Sequence, residues 1–398
     1  MNFDLTPEQR ELQQTIRDFA TREVAPRAEA LDREARFPVD LVQRVGEMGV
    51  ISIPFPKELG GLGLGVFEAV LAIEELARAD QSLAVTTMVS MATGLTVARF
   101  GTDEQKARWL PDIVAGRRIC SIAGTEPDAG SDTAGFKTRA TRLDNGQWSV
   151  SGEKAYITNA GTPISDFTLI LAVTSPRDAP RKQFTLFLVP NDAPGYTRGA
   201  PYNKMGWKSS DTRPLHLDDC QLGPEAIVGT ENGGRWGVHK GYQAARLFLS
   251  APLPGPGLFL SACSLGLAQS SLDHAIDYAR TRQAFGGSLG RLQMIQDMIA
   301  TMALKVDSAR LVTYRAAWQV DQGIEDLGAL SMAKLHATET GSEVANMAIQ
   351  VHGGWGFMDD CPPSRHLRDN RICTIGDGSS QIQKLLIARA CGLDVTFA

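Results

Sequence analysis

The sequence predicts an α+β protein whose chain runs from a helical zone through a β zone into a second helical zone. Apolar residues recur at helical spacing as far as about residue 119. From about 120 to 235 the pattern changes to short runs rich in β-branched and aromatic residues. Long segments with one broad apolar face return from about 258. Domains are therefore expected at 1–119, 120–235 and 236–398, and 398 residues at 43% hydrophobic suffice for such cores.

In the first zone, Thr6-Pro7-Glu8-Gln9 reads as an N-cap, a proline at the first helical position and a capping-box glutamine. Leu12, Ile16, Phe19 and Val24 follow at helical spacing, and Pro26 is expected to kink or end that helix. Gly60-Gly61-Leu62-Gly63-Leu64-Gly65 follows two prolines rather than a strand, so it reads as a loop and not a dinucleotide fingerprint. Two apolar helices are expected near 66–79 and 82–99, and Thr102-Asp103-Glu104-Gln105 opens another. In the second zone, Asn145-Gly146 before Trp148-Ser149-Val150 is a hairpin signal. Phe167 to Val173 and Phe184 to Val189 read as strands separated by a proline-bounded turn region. In the third zone, helices are expected at 258–283, 292–322, 328–351 and from 380, packed as a four-helix bundle with an outer face free for self-association.

The charge balance excludes some function classes. Forty basic and 45 acidic residues are interspersed, giving a formal charge of −5 and no basic patch for nucleic acid or a membrane surface. Six scattered cysteines without C-x-x-C spacing suit free thiols in a reducing cytoplasm. The first residues have neither the basic start nor the apolar core of a signal peptide. The apolar stretch Leu247 to Cys263 is broken by three prolines, so it is a poor membrane helix.

The most informative stretch is Ile375-Gly376-Asp377-Gly378-Ser379-Ser380-Gln381, which sets one carboxylate between two glycines ahead of an apolar helical segment. Such a hinge can project the carboxylate into a cavity while its N–H faces a ligand. Asp and Gly before a helix are also ordinary capping residues.

Four further motifs stand out: Thr125-Glu126-Pro127-Asp128-Ala129-Gly130-Ser131-Asp132, Gly152-Glu153-Lys154-Ala155-Tyr156-Ile157-Thr158-Asn159, Arg282-Gln283-Ala284-Phe285-Gly286 with Gln293, and Gln350-Val351-His352-Gly353-Gly354-Trp355-Gly356-Phe357. Together they resemble the acyl-CoA dehydrogenase family, and the resemblance spans nearly the whole chain. The resemblance implies that family's fold, an N-terminal helical domain, a middle β domain and a C-terminal four-helix bundle. It also implies one FAD per chain in a homotetramer, a dimer of dimers, with electrons passing to an electron-transfer flavoprotein. By resemblance, Thr125 and Ser131 meet the pyrimidine edge and pyrophosphate of FAD. Thr158 bonds near N5, and Tyr156 packs beside the ring where the family usually has Trp. Arg282, Phe285 and Gln293 reach the pyrophosphate and adenine of FAD in a neighbouring subunit, and Gly353 and Gly354 let backbone approach it closely. Gln350, Ser379 and Gln381 complete the implied cofactor set. His352 reads as a packing or hydrogen-bonding residue, because no companion ligands stand at metal spacing.

The family's reaction oxidises an acyl-CoA thioester to the trans-2-enoyl-CoA, with a carboxylate taking the α-proton while the β-hydrogen leaves as hydride to flavin N5. The resemblance places Asp377 at the base position, its N–H helping to stabilise the enolate, with Gly378 beside the substrate. The chain departs from the pattern twice. Most members carry Glu at the base position, and Asp shortens the reach by about 1.5 Å, one C–C bond. Segment 246–257 looks like an insertion of about ten residues at the start of the bundle, where some relatives place their Glu. Here Pro256 stands at that position and Gly257 at the following Arg. Within the segment Arg246 either binds a polar acyl end or lies on a surface loop. Met88 and Met91 either line the acyl tunnel or fill the core. Two further readings remain open: an oxidase or non-dehydrogenating relative acting on a cyclic acyl-CoA or nitroalkane-like substrate, and a catalytically reduced binding homologue.

Overall fold

The computed structural model describes residues 4–179, 182–229, 256–324 and 326–395. Helix α1 (Pro7–Phe19) opens with the expected capping box, in which Thr6 and Gln9 each accept the other's backbone N–H. Pro26 does not end the helical path. A π turn at Ala20–Val24 precedes it, and α2 (Ala25–Glu34) continues with Pro26 in its first turn. A proline's missing N–H is harmless in a first turn, which is why the chain changes winding instead of breaking. Helices α3 (Val39–Glu47), α4 (Val66–Ala79), α5 (Gln81–Phe100) and α6 (Asp103–Val114) complete the first zone. Helix α5 is long and apolar enough to cross a membrane, but most of it is buried inside the fold, as in a core helix.

The middle zone forms one mixed sheet of β1 (Ile119–Ala123), β2 (Arg139–Arg142), β3 (Trp148–Thr158), β4 (Ser165–Val173), β5 (Phe184–Pro190), β6 (Tyr196–Arg198) and β7 (Thr212–Leu222). Its order is β1-β4-β2-β3-β7-β6, with β5 also paired to β4. The Asn145-Gly146 hairpin joins antiparallel β2 and β3, as its turn residues predict. Parallel pairing of β4 with β1 and β2 leaves no local signature, since it is decided by residues far apart in sequence.

The last zone contains α7 (Pro256–Thr281), a small hairpin of β8 (Gln283–Ala284) and β9 (Gly287–Ser288), then α8 (Gln293–Asp321), α9 (Leu327–His352), α10 (Pro362–Asn370) and α11 (Ser380–Ala390). Helix α10 was not expected; Pro362 and Pro363 start it, standing in its first turn. Two carboxylates, buried Glu74 and exposed Asp321, lock the first helical zone to the last. Glu74 on α4 accepts from Arg310 at 2.9 Å and from the Tyr314 hydroxyl at 2.7 Å, both on α8. Asp321, at the end of α8, caps α4 by accepting the Val66 and Phe67 N–H groups at 2.7 and 2.9 Å. A single hydrophobic core runs from the N-terminal helices into the sheet and the bundle, with satellite cores in each of the latter.

Candidate active site

The β domain presents one group of expected residues. Strand β3 carries an extra residue relative to β7 between Lys154 and Ile157, and Tyr156 there adopts φ +63°. Such a bulge re-aims its side chain. Tyr156 stands 63% exposed, with its ring 5.2 Å from that of Tyr202. Thr158, half-buried, ends the same strand. The loop carrying Thr125 and Ser131 is tied to this strand, because Ala155 N–H donates to the Thr125 carbonyl at 2.9 Å. Beneath it, fully buried Lys154 donates to the Gly124 carbonyl at 2.9 Å and to Glu126 at 3.0 Å. Glu126 also accepts the Lys137 and Thr138 N–H groups. Burial lowers the Lys154 ammonium to about 8, with Glu126 opposing. These anchors fix the loop shape while Ser131 stays exposed.

The bundle presents a second group. Arg282, Tyr278, Leu289, Val351, His352, Gly353, Gly354 and Trp355 surround a concavity of about 420 Å³. Tyr278 and His352 stack at 4.5 Å, and His352 Nδ1 lies 2.7 Å from the Ala348 carbonyl, so the histidine packs as expected. Among the described residues no His, Cys and carboxylate cluster suits a metal. A Cβ added at Gly353 or Gly354 would meet nothing within 4 Å. Phe285, at the tip of the β8–β9 hairpin, is 83% exposed with φ +51°, its carbonyl accepting from Arg291. Gln293 and Gln350 are exposed at the start of α8 and near the end of α9. A cation, flat aromatic surfaces and open backbone fit the adenosine diphosphate part of FAD. The exposed Tyr156 face fits a planar ring.

A third group centres on the Asp377 loop. Asp377 has φ +50° and Gly378 φ +82°, two consecutive left-handed residues before α11. Asp tolerates that backbone better than most non-glycine residues. Gln383, on the first turn of α11, donates to both the Asp377 and Gly378 carbonyls at 3.1 Å. Lys334, fully buried on α9, donates to the Gly378 carbonyl at 2.8 Å. Ser379 caps α11 by accepting the Ile382 N–H, and Ser380 donates to Glu339 on α9. Gln381 is exposed. Asp377 keeps a side open to solvent, while protein crowds it elsewhere. That crowding holds its carboxyl above the ordinary value, and the Lys334 cation pulls it back.

All three domains meet close to this loop. Gln81 at the start of α5 accepts from the Trp207 indole at 2.8 Å and donates to the Cys263 carbonyl at 3.1 Å and to Asn370 at 3.3 Å. Trp207 N–H donates to buried Asp369 at 2.6 Å. Met88 and Met91 are buried on α5 within the main core. Arg246 and positions 246–255 lie outside the described residues; Pro256 and Gly257 open α7. Sequence reasoning missed Lys334, Gln383 and Tyr202, although a lysine on the apolar face of α9 was a visible signal.

Comparison with known proteins decides the family. The acyl-CoA dehydrogenase N-terminal, middle and C-terminal domain families match residues 6–117, 121–220 and 258–392. A probable acyl-CoA dehydrogenase of Bacillus subtilis (strain 168) is 36% identical over 391 residues, covering 98% of this chain and 99% of that protein. The chain belongs to the acyl-CoA dehydrogenase family. The human mitochondrial short-chain specific acyl-CoA dehydrogenase is 38% identical over 378 residues, covering 95% of this chain and 88% of that protein. The structure of butyryl-CoA dehydrogenase from Megasphaera elsdenii superposes with a TM-score of 0.90 at 28% identity, covering 99% of this chain and all of that one. As a member of this family, the protein is an FAD-dependent oxidoreductase.

Proposed function

We propose that the enzyme oxidises an acyl-CoA thioester to its trans-2-enoyl-CoA, with Asp377 removing the α-proton. The observation that carries this reading is the Asp377 carboxylate itself. It is open on one side, crowded on the others, shifted toward the working pH range, and held by a pinned left-handed loop. A general base gains from such a shift, because its pKa should lie near the operating pH. The α-proton is acidified as the thioester carbonyl accepts a hydrogen bond from the Asp377 N–H. FAD, when bound, supplies the acceptor for the hydride leaving the β-carbon. Tyr156, Thr158, Thr125 and Ser131 hold its ring and adjoining phosphate. Arg282, Phe285, Gln293, Gln350, Gly353 and Gly354 hold the adenosine half bound to a neighbouring subunit, and Ser379 and Gln381 flank the cofactor at the base loop. The thioester lies against Gly378, and its acyl chain points toward Met88 and Met91. The working form is a cytoplasmic homotetramer reoxidised by an electron-transfer flavoprotein.

The test is anaerobic stopped-flow reduction of bound FAD by linear, branched and cyclic acyl-CoAs and a nitroalkane, in parent and Asp377→Asn. The variant should retain FAD while its best rate falls at least about a hundredfold, the range for loss of a general base. Near-parental reduction by Asp377→Asn would remove Asp377 from this role. Rapid peroxide formation without an acceptor would replace the dehydrogenase reading by an oxidase.

A further inference from the structure

Lys334 is fully buried in the first third of α9, beside apolar Leu330, Ala333 and Ala337 and the neutral hydroxyl residues Ser331 and Thr338. A buried ammonium is costly unless a charge and hydrogen bonds compensate it. The Gly378 carbonyl, at 2.8 Å, is a neutral acceptor that Gln383 already serves at 3.1 Å, so it alone does not account for a charge here. Other titratable groups face Lys334: Asp377, Cys373 on the turn before the loop, and Glu339 on α9. Cys263 on α7 faces Cys373 and Asp377. Burial pushes the Cys373 thiol up to about 12 and the Cys263 thiol well above its ordinary value, so both are neutral. Glu339 is engaged by the Ser380 hydroxyl. Of these groups Asp377 pulls most strongly on the Lys334 ammonium, ahead of Glu339, and it adjoins the Gly378 carbonyl that the ammonium bonds, so it is the chief counter-charge of Lys334.

We propose that Lys334 is a positioning residue for the base, its ammonium clamping the Asp377–Gly378 backbone through the Gly378 carbonyl and balancing the Asp377 carboxylate. This rests on Asp377 being the base. The short aspartate arm gives the clamp its purpose. Misplacement of a reacting group by about 1 Å can cost a hundredfold, and a side chain one methylene short has less freedom to correct its backbone. The cation also limits how far crowding raises the Asp377 pKa, so the base remains ionised over more of the working range.

The experiment compares full-length, FAD-loaded parent with Lys334→Met, Lys334→Gln and Lys334→Arg. The infrared band of the protonated Asp377 carboxyl, assigned by its loss in Asp377→Asn, is titrated with pH. Met and Gln should move its midpoint up by about one pH unit or more, the size expected when an adjacent opposite charge is removed, and Arg should leave it near the parental value. The rising limb of flavin reduction by the fastest acyl-CoA of the panel should move with it, a loss of about tenfold per unit below the midpoint. Gln keeps a donor for the Gly378 carbonyl, so it separates charge from hydrogen bonding and decides the matter if Met does not fold. Folded Met and Gln variants with parental titration and pH–rate profiles would overturn the proposal. Near-parental flavin reduction by Asp377→Asn would instead overturn the base assignment beneath it, even if the infrared midpoint had shifted.

Discussion

Replacing Asp369 by asparagine probes the docking of the β domain on the bundle. Asp369 is 2% exposed on α10 and accepts the Trp207 N–H at 2.6 Å. The two backbones are in close contact there, for a Cβ at Gly206 would lie 2.2 Å from the Arg368 carbonyl oxygen. Burial raises the Asp369 carboxyl from 3.8 to about 7, aided by nearby Asp80 and Asp32 and opposed by Arg365. The folded state therefore holds a proton that the unfolded chain releases near pH 4. A raised folded pKa means that this contribution is fully present below about pH 4 and is lost as pH rises through about 7. A rise of about 3 units corresponds to about 4 kcal/mol, an upper figure for one group. Asparagine keeps an oxygen for the Trp207 N–H but cannot ionise. Whatever fixed cost it carries, its stability relative to the parent should improve by up to about 4 kcal/mol between pH 4 and pH 8. Urea unfolding midpoints of both proteins across that range measure the difference. Parallel curves for the two proteins would refute the claim that Asp369 is buried with a raised pKa.

Two other outcomes are expected. Arg282→Ala should lose FAD on dialysis while the reconstituted enzyme binds acyl-CoA normally, since a charge-assisted hydrogen bond is worth about 1.5–3 kcal/mol; equal FAD affinity in the two proteins would exclude that role. Leu304, Leu311 and Trp318 form an exposed stripe at seven-residue spacing on α8. If this stripe joins subunits, light scattering should show about four chains for the parent and fewer for Leu311→Glu, and an intact variant tetramer would count against that use.

Much of the site could be read locally because its motifs are local. The capping boxes at Thr6 and Thr102 and the Asn145-Gly146 turn depend on contacts three or four residues apart, and all three formed as expected. Asp377 stood out because two flanking glycines mark an unusual backbone, which the φ values of +50° and +82° at Asp377 and Gly378 display. Of the two outcomes expected at Pro26, an end to the helical path did not occur, because a π turn just before it changes the winding and lets the path continue. Helix α10 was missed because its apolar pattern is short and its start is two prolines.

The sequence by itself determined the order of the three zones, the family motifs and the single loop carboxylate, since each is encoded in residue types at close spacing. Only the tertiary structure decided which strand pairs with β4, that Trp207 and Gln81 come together near the base loop, and that Lys334 lies against Gly378. Those contacts join residues 44 to 126 positions apart. A buried ammonium takes its meaning from the carboxylate facing it, and that partner is supplied by the packing of α9 against α11, not by any neighbour in the chain.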